Sequence, residues 1–338
     1  MNYRYYVKRT AMAIFTLYVA LSLTFVLLRW IPGGPEAYVL SQLVQQGHSP
    51  QEAELMLASQ MEHFVNINPD DPVYVQYWDY VVALGGGDLG ESFLYGRSVS
   101  SILMDALPWT VFLIGSATMV IFITGILMGA VQAYLEGGRF DVSMTTVQTI
   151  LTSIPYYVFA ILLIDTFAFQ WELFPRGGRV GSGLEPLSLE FIGSAFYHAT
   201  LPFLSLLIAA FGGPALAMRG NSIQVLGSDY MRVGRLRGLS TSRLATRYVA
   251  RNAVLPLYTG FMIGLAGFFS GAVILETIFS YPGMGYYLLQ GFVARDYPLM
   301  MGGFVILTGV TIFGIWLADL TYGLIDPRIE TGDENAAF

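Results

Sequence analysis

Residues 11–30 read AMAIFTLYVALSLTFVLLRW, eighteen uncharged and mostly apolar residues ahead of Arg29 and Trp30. A hydrocarbon core of roughly 30 Å takes about 20 such residues to cross as a helix. The stretch is too long for the apolar part of a cleavable leader and has no small-residue cleavage site before Arg29. It therefore reads as a transmembrane helix.

Working outward, five more stretches of this kind follow: Trp109–Leu135, Val142–Trp171, Ala199–Met218, Leu257–Phe279 and Gly302–Ile325. The expected fold is an all-α integral membrane protein with about six transmembrane helices. The whole composition agrees. Of 338 residues, 54% are hydrophobic and only 12% charged, about half the charged share of a soluble domain. The chain divides into an N-terminal segment with the first span (1–30), a large loop region (31–108), a five-helix core (109–325) and a tail (326–338). Ser49-Pro50 followed by Glu52 to Phe64 predicts one short amphipathic helix within the loop region.

Charge sets the orientation. Ten of the 24 acids fall between Pro32 and Pro108, where Arg97 is the sole basic residue. Seven of the 17 basic residues fall between Arg219 and Pro256, where Asp229 is the sole acid. Basic residues concentrate in short cytoplasmic loops. With the N-terminus inside, twelve basic residues lie inside and five outside. Both termini are thus expected in the cytoplasm, with the acidic 31–108 region outside.

Several chemistries drop out early. There is no cysteine, which excludes disulfides, thiolate metal sites and cysteine nucleophiles. Three scattered histidines, His48, His63 and His198, argue against an internal zinc site. A phosphate-binding loop needs Gly-x-x-x-x-Gly-Lys-Ser/Thr, and the one lysine, Lys8, has no such context.

Residues 219–256 carry the most information. A helix from Tyr230 to Arg237, capped by Asp229, ends at Gly238, which suits the left-handed conformation of a helix stop. Ser240 then caps a second helix running to about Asn252, with Pro256 beyond its end. In the first helix Tyr230, Val233 and Leu236 fall on one stripe beside Arg232 and Arg235, a pattern for docking in a groove. Arg243, Arg247 and Arg251 are four apart and form one cationic face. That face alone reads first as the mark of positive-inside topology and lipid headgroup contact.

These residues also carry a resemblance. Tyr230-Met-Arg-Val-Gly-Arg-Leu-Arg-Gly-Leu-Ser240, with Arg251-Asn-Ala-Val-Leu-Pro256, is similar to the coupling loop of binding-protein-dependent ABC importer permeases. The branch is that of the oligopeptide, dipeptide and nickel importers, in its B-type subunit. Phe25 to Pro35, Gly87 to Ser92, Gly271 to Gly285, Arg295 to Pro298 and Asp326 to Arg328 match the same family in order, so the resemblance covers nearly the whole chain. The literal Glu-Ala-Ala of the loop is replaced here by Arg232-Val233-Gly234.

The resemblance implies a prokaryotic inner-membrane subunit of an ATP-driven importer, with no enzymatic activity and no cofactor of its own. It implies two ATP-binding partner subunits holding ATP and Mg, a second homologous permease forming a heterodimer, an external solute-binding protein and surrounding membrane lipid, with no nucleic acid. The coupling residues would be Tyr230, Arg232, Val233, Gly234, Arg235, Leu236, Arg237, Gly238, Leu239 and Ser240. Oligopeptides or dipeptides are the expected cargo; oligosaccharides or chelated nickel are the alternatives. A self-contained channel or secondary transporter leaves the 230–240 helix unexplained. A membrane-embedded enzyme needs converging His/Asp or Ser/Lys groups that the sequence does not supply.

Candidate pathway or gate residues follow from charge and helix breaks inside the spans. Charges there are expensive and commonly functional, which singles out Asp165, Glu276 and Asp319. Glu276 either faces the pathway or holds the following turn, Ser280 to Gly285. Ile154-Pro155 and Gly212-Gly213-Pro214 should break or kink their helices, as a moving hinge or as a static bend. Gly260, Gly264, Gly267 and Gly271 predict a close-packing face.

Overall fold

The computed structural model describes residues 3–29, 40, 43–45, 47–56 and 72–325. Its main helices, in chain order, are α1 (Tyr3–Arg29), α2 (Val73–Gly85), α3 (Val99–Thr110), α4 (Ser116–Tyr134), α5 (Arg139–Ser153), α6 (Tyr156–Leu163), α7 (Leu189–Ala210), α8 (Gly212–Leu226), α9 (Asp229–Leu236), α10 (Thr241–Leu244), α11 (Arg251–Ile278), α12 (Met284–Ala294) and α13 (Tyr297–Ile325). Wider π turns occupy Val111–Gly115, Ile164–Gln170 and Ala245–Ala250. Among the described residues there is no strand, only one isolated bridge between Glu91 and Ser98.

The protein is an all-α integral membrane protein. Among the described residues, four helical stretches are long and apolar enough to cross a bilayer: Tyr6–Val26, Val99–Tyr134, Leu189–Leu226 and Tyr297–Leu317. They overlap the expected first, second, fourth and sixth spans. The expected third span is a bent pair, α5 with α6 and its π extension, turned by 87°. The expected fifth lies in α11, whose 28 residues give a length of about 42 Å at 1.5 Å per residue. Side chains 263–272 lie outside the described residues, including Gly264, Gly267 and Gly271 of the expected glycine face, and so does that of Asp319.

Prolines act differently at different places. Ile154 is extended (φ −97°, ψ 124°) ahead of Pro155, because the proline ring crowds a helical preceding residue. There the helix breaks as expected. At Gly212-Gly213-Pro214 the interruption is slight, the single residue Phe211 between α7 and α8. Phe211 keeps helical torsions (φ −64°, ψ −25°), and the Ala215 N–H still reaches its carbonyl at 3.4 Å. Pro256 sits within α11 rather than beyond a helix end. In the turn before Pro256, Asn221 Nδ2 of α8 donates to the Ala253 carbonyl at 3.1 Å, tying α8 to α11. In the loop region, residues 50–56 are helical behind a reciprocal cap. The Glu52 carboxylate accepts from the Ser49 N–H at 3.0 Å, and Ser49 Oγ accepts from the Glu52 N–H at 3.3 Å. The rest of that expected helix, 57–64, lies outside the described residues, as do the tail 326–338 and most of the Phe25–Pro35 match.

The chain forms two compact units. One comprises Met1–Thr110, Phe269–Val273 and Pro282–Phe338. Its core joins Val99, Ile102, Leu103 and Ala106 of α3 to Met284 of α12 and Leu299 of α13. Asp296, fully buried, ties three segments together. Its carboxylate accepts from the Ser92 hydroxyl (2.5 Å), the Leu94 N–H (3.0 Å) and the Leu299 N–H (3.1 Å). Burial raises the Asp296 pKa, and these three donors oppose that rise.

The other unit comprises Val111–Phe268 and Ile274–Tyr281. Its tightest packing is α4 against α8. A Cβ on Gly125 would stand 2.7 Å from Pro214 Cβ, and one on Gly129 would collide with the Ala215 carbonyl. Gly125 and Gly129 are four apart, the spacing that lets membrane helices approach backbone to backbone.

Candidate functional site

The 219–256 segment folds as a helix, a glycine turn and a second helix. The first, α9, starts one residue earlier than expected. Ser228 stands at its N-cap position, and its hydroxyl donates back to the Val225 carbonyl at 2.6 Å instead of capping. Asp229 is the first helical residue rather than the cap, a place where the helix dipole favours a carboxylate.

The end of α9 meets the glycine expectation. Gly238 has φ +72°, the Gly238 N–H donates to the Arg235 carbonyl (3.0 Å), and the Leu239 N–H donates to the Gly234 carbonyl (3.2 Å). These two bonds make a Schellman stop. Arg243 N–H points at Ser240 Oγ at 3.4 Å, and helix resumes at Thr241. It does not stop near Asn252; through the π turn it runs on into α11.

The two faces of α9 are distinct. Met231 and Gly234 are buried. Met231 packs with Leu244 and Val249, joined by Leu226, Leu239 and Tyr248. Gly234 lies close to that cluster: a Cβ would stand 2.8 Å from Leu244 Cδ2, and the end of the Leu244 side chain would have to shift to admit it. The opposite stripe is open to varying degree: Tyr230, stacked on Tyr248, and Val233 are just under half exposed, and Leu236 is 81% exposed. Arg232, Arg235 and Arg237 flank it, all exposed. Exposed Arg243 and Arg247 stand on the following helix, while the Arg251 side chain lies outside the described residues.

An ion pair anchors the helix that leads into α9. Arg219 of α8 forms a two-pronged ion pair with Asp141 of α5, Nε to Oδ1 at 2.5 Å and Nη2 to Oδ2 at 2.7 Å. The Gly137 N–H also donates to Asp141 at 3.0 Å. Next to the pair, Gln148 Nε2 donates to Gln132 Oε1 at 3.0 Å, and Gln132 Nε2 donates to Thr145 Oγ1 at 3.1 Å. Asp141, Gln132 and Gln148 are all buried.

Further along α8 lies a cavity of about 480 Å³. Its walls are Thr118, Ile121 and Phe122 of α4, Gly213, Pro214, Ala217 and Asn221 of α8, Ala210 of α7, and Pro256, Leu257, Gly260 and Phe261 of α11.

Known proteins match this chain along nearly its whole length. Residues 121–331 match the family described as binding-protein-dependent transport system inner membrane component. The oligopeptide transport system permease protein AppB of Bacillus subtilis is 31% identical over 328 residues, covering 96% of this chain and 99% of that protein. The chain belongs to this family. It is equally similar, at 31% over 323 residues, to the oligopeptide permease protein OppB of Haemophilus influenzae, with 95% of this chain and 97% of that one covered. The dipeptide permease protein DppB of Bacillus subtilis is 30% identical over 97% of this chain and 98% of its own. The protein is thus a multi-pass inner-membrane permease.

In the permease, the expected pathway residues scatter. Gly213 and Pro214 line the cavity, and Gly260 opens onto it, with no heavy atom within 4 Å of where a Cβ would stand. Pro155 marks the bend between α5 and α6. Asp165 is exposed and accepts from Gln170 Nε2 at 2.7 Å. Glu276 is fully buried, within electrostatic reach of Tyr281. Its backbone carbonyl accepts the Tyr281 N–H at 2.7 Å across left-handed Ser280 (φ 44°). Burial pushes the Tyr281 phenol well up, with Glu276 adding to the rise and Arg179 opposing it.

The Arg219–Asp141 pair and the Gln132–Gln148–Thr145 network are not among the residues that sequence reasoning singled out. Two signals pointed to them: the Gly125-x-x-x-Gly129 spacing, and an acid two residues after Arg139 at a span boundary.

Proposed function

We propose that this permease admits oligopeptides or dipeptides handed over by an external binding protein, and that α9 is the docking lever for an ATP-hydrolysing partner subunit. The peptide cargo is the one that the permeases AppB, OppB and DppB are named for. A second homologous permease and two ATP-binding subunits, holding ATP and Mg, complete the importer in this reading. The chain itself contributes a gate and a lever.

One observation carries the lever. Met231 and Gly234 anchor α9 from inside while Tyr230, Val233 and Leu236 face outward, ringed by arginines. An exposed apolar stripe with a charged rim is the pattern of a helix that seats in a groove. Motion imposed on α9 would enter α8 through Ser228. Because α8 is packed on α4 and gripped by Asp141, the push would reach the walls of the cavity around Gly213 and Pro214.

The test is Leu236→Glu in the assembled transporter, co-expressed with its partner subunits. Leu236 is 81% exposed, so thermal stability should hold. Co-purification of the ATPase subunits and peptide uptake should fall at least about tenfold, since one desolvated charge costs several kcal/mol. Undiminished assembly and uptake would overturn the proposed docking face.

A further inference from the structure

The loop region after the first span carries α2, whose inner face sits on α1. The Tyr77 and Ser22 hydroxyls share a hydrogen bond of 2.7 Å. The Phe25 ring meets Tyr77 edge-on and Tyr80 at a tilt, each with 5.4 Å between centroids. Ser22 and Phe25 lie inside the membrane-crossing stretch Tyr6–Val26. At 1.5 Å per residue, Ser22 is about 6 Å short of the end of that stretch. Contact at that level argues for α2 lying within the bilayer edge and against its standing out in the water.

The outward face of α2 matches that depth. Tyr74, Trp78 and Val82 follow one another every four residues, and they are 75%, 65% and 57% exposed. Asp79, on the flank of this stripe, is the one charge in a helix without Lys or Arg. On α1 the same kind of surface continues at exposed Leu23 and Val26. Trp and Tyr concentrate where hydrocarbon meets headgroups, because the ring is apolar and its polar tip stays wet.

We infer that α2 is a membrane-seated helix whose Tyr74–Trp78–Val82 face contacts phospholipid, in the leaflet that holds the C-terminal end of α1. By the count of basic residues this is the outer leaflet. The acidic loop region would then be pinned to the bilayer partway along its length. The two observations behind this are independent of each other: the depth comes from contacts with α1, and the chemistry comes from the exposed stripe.

The absence of cysteine makes the test direct. Single cysteines at Tyr74, Trp78 and Val82 are spin-labelled in the assembled transporter, in vesicles of phosphatidylcholine and phosphatidylglycerol. Phe15→Cys on the exposed side of α1 serves as the lipid reference and Glu91→Cys as the water reference. The expected result is oxygen accessibility close to that of Phe15→Cys, with accessibility to a water-soluble nickel chelate several-fold below that of Glu91→Cys. Chelate accessibility equal to Glu91→Cys would overturn the inference in favour of a hydrated face. Low accessibility to both reagents would overturn it in favour of a protein partner. A second measurement needs no label: quenching of tryptophan fluorescence by brominated phosphatidylcholine should drop in Trp78→Phe, and equal quenching with and without Trp78 would count against lipid contact.

Discussion

Arg219 and Asp141, 78 positions apart, face each other through two parallel bonds of 2.5 and 2.7 Å, with the carboxylate side chain 1% exposed and the guanidinium 28% exposed. Paired planar groups of this kind combine charge with fixed geometry. The pair joins α8, which leads into α9, to α5.

Removing one member should leave the other poorly solvated. A fully buried pair costs about 3–5 kcal/mol to break in this way; with Arg219 partly exposed, Asp141→Ala should cost about 2 kcal/mol. It would appear as a lowered unfolding midpoint of the purified permease. The double variant Asp141→Ala/Arg219→Leu should recover part of the loss, because no charge is then stranded.

Two glycines should behave oppositely. Gly129→Val places atoms against the Ala215 carbonyl and Met218, an overpacking that neither backbone can relieve cheaply, with a cost of about 3 kcal/mol. Gly260→Ala lies within a helix and meets nothing within 4 Å, so it should raise stability by about 0.5–1 kcal/mol. Thermal unfolding of the two variants side by side checks the contrast.

Gly238 tests backbone conformation alone. A Cβ there has open space, but φ is +72°. Gly238→Val should cost about 2 kcal/mol, the penalty of a β-branched residue in the left-handed region. Gly238→Asn should cost less, because Asn tolerates that region. If both variants unfold at the same temperature as the parent, the Schellman stop is not what holds α9 in place.

Acidity should act through Asp296. Burial raises its folded-state pKa above the unfolded carboxylate value of about 3.9. The folded state therefore binds the proton more tightly than the unfolded state. This contribution to stability is fully present below about pH 3.9 and is lost as pH rises through the folded value. The difference in unfolding midpoint between the parent and Asp296→Asn should thus shift across mildly acidic pH and level off at neutral pH. A difference independent of pH would mean that Asp296 does not titrate in the folded protein.

The sequence by itself determined the membrane class, the approximate place of each apolar stretch and the glycine stop at 238. All three are local properties: the length of an apolar run is set by bilayer thickness, and a helix that ends in left-handed backbone calls for glycine. The stripe on α9 was legible for the same reason, since residues three apart share a helix face.

Only the tertiary structure decided the rest. Pro155 breaks a helix sharply, yet Pro214 goes with only a one-residue interruption at Phe211 and Pro256 sits inside a continuous helix, because the helices packed around a proline, and not the proline alone, decide how far the chain turns there. Arg219 counted in the sequence only as one more cytoplasmic charge, until folding brought Asp141 to it. Whether Tyr230 or Met231 faced outward depended on Leu244 and Val249 arriving to cover one side of α9. Such choices rest on which groups meet across long stretches of chain, and composition and periodicity do not record those meetings.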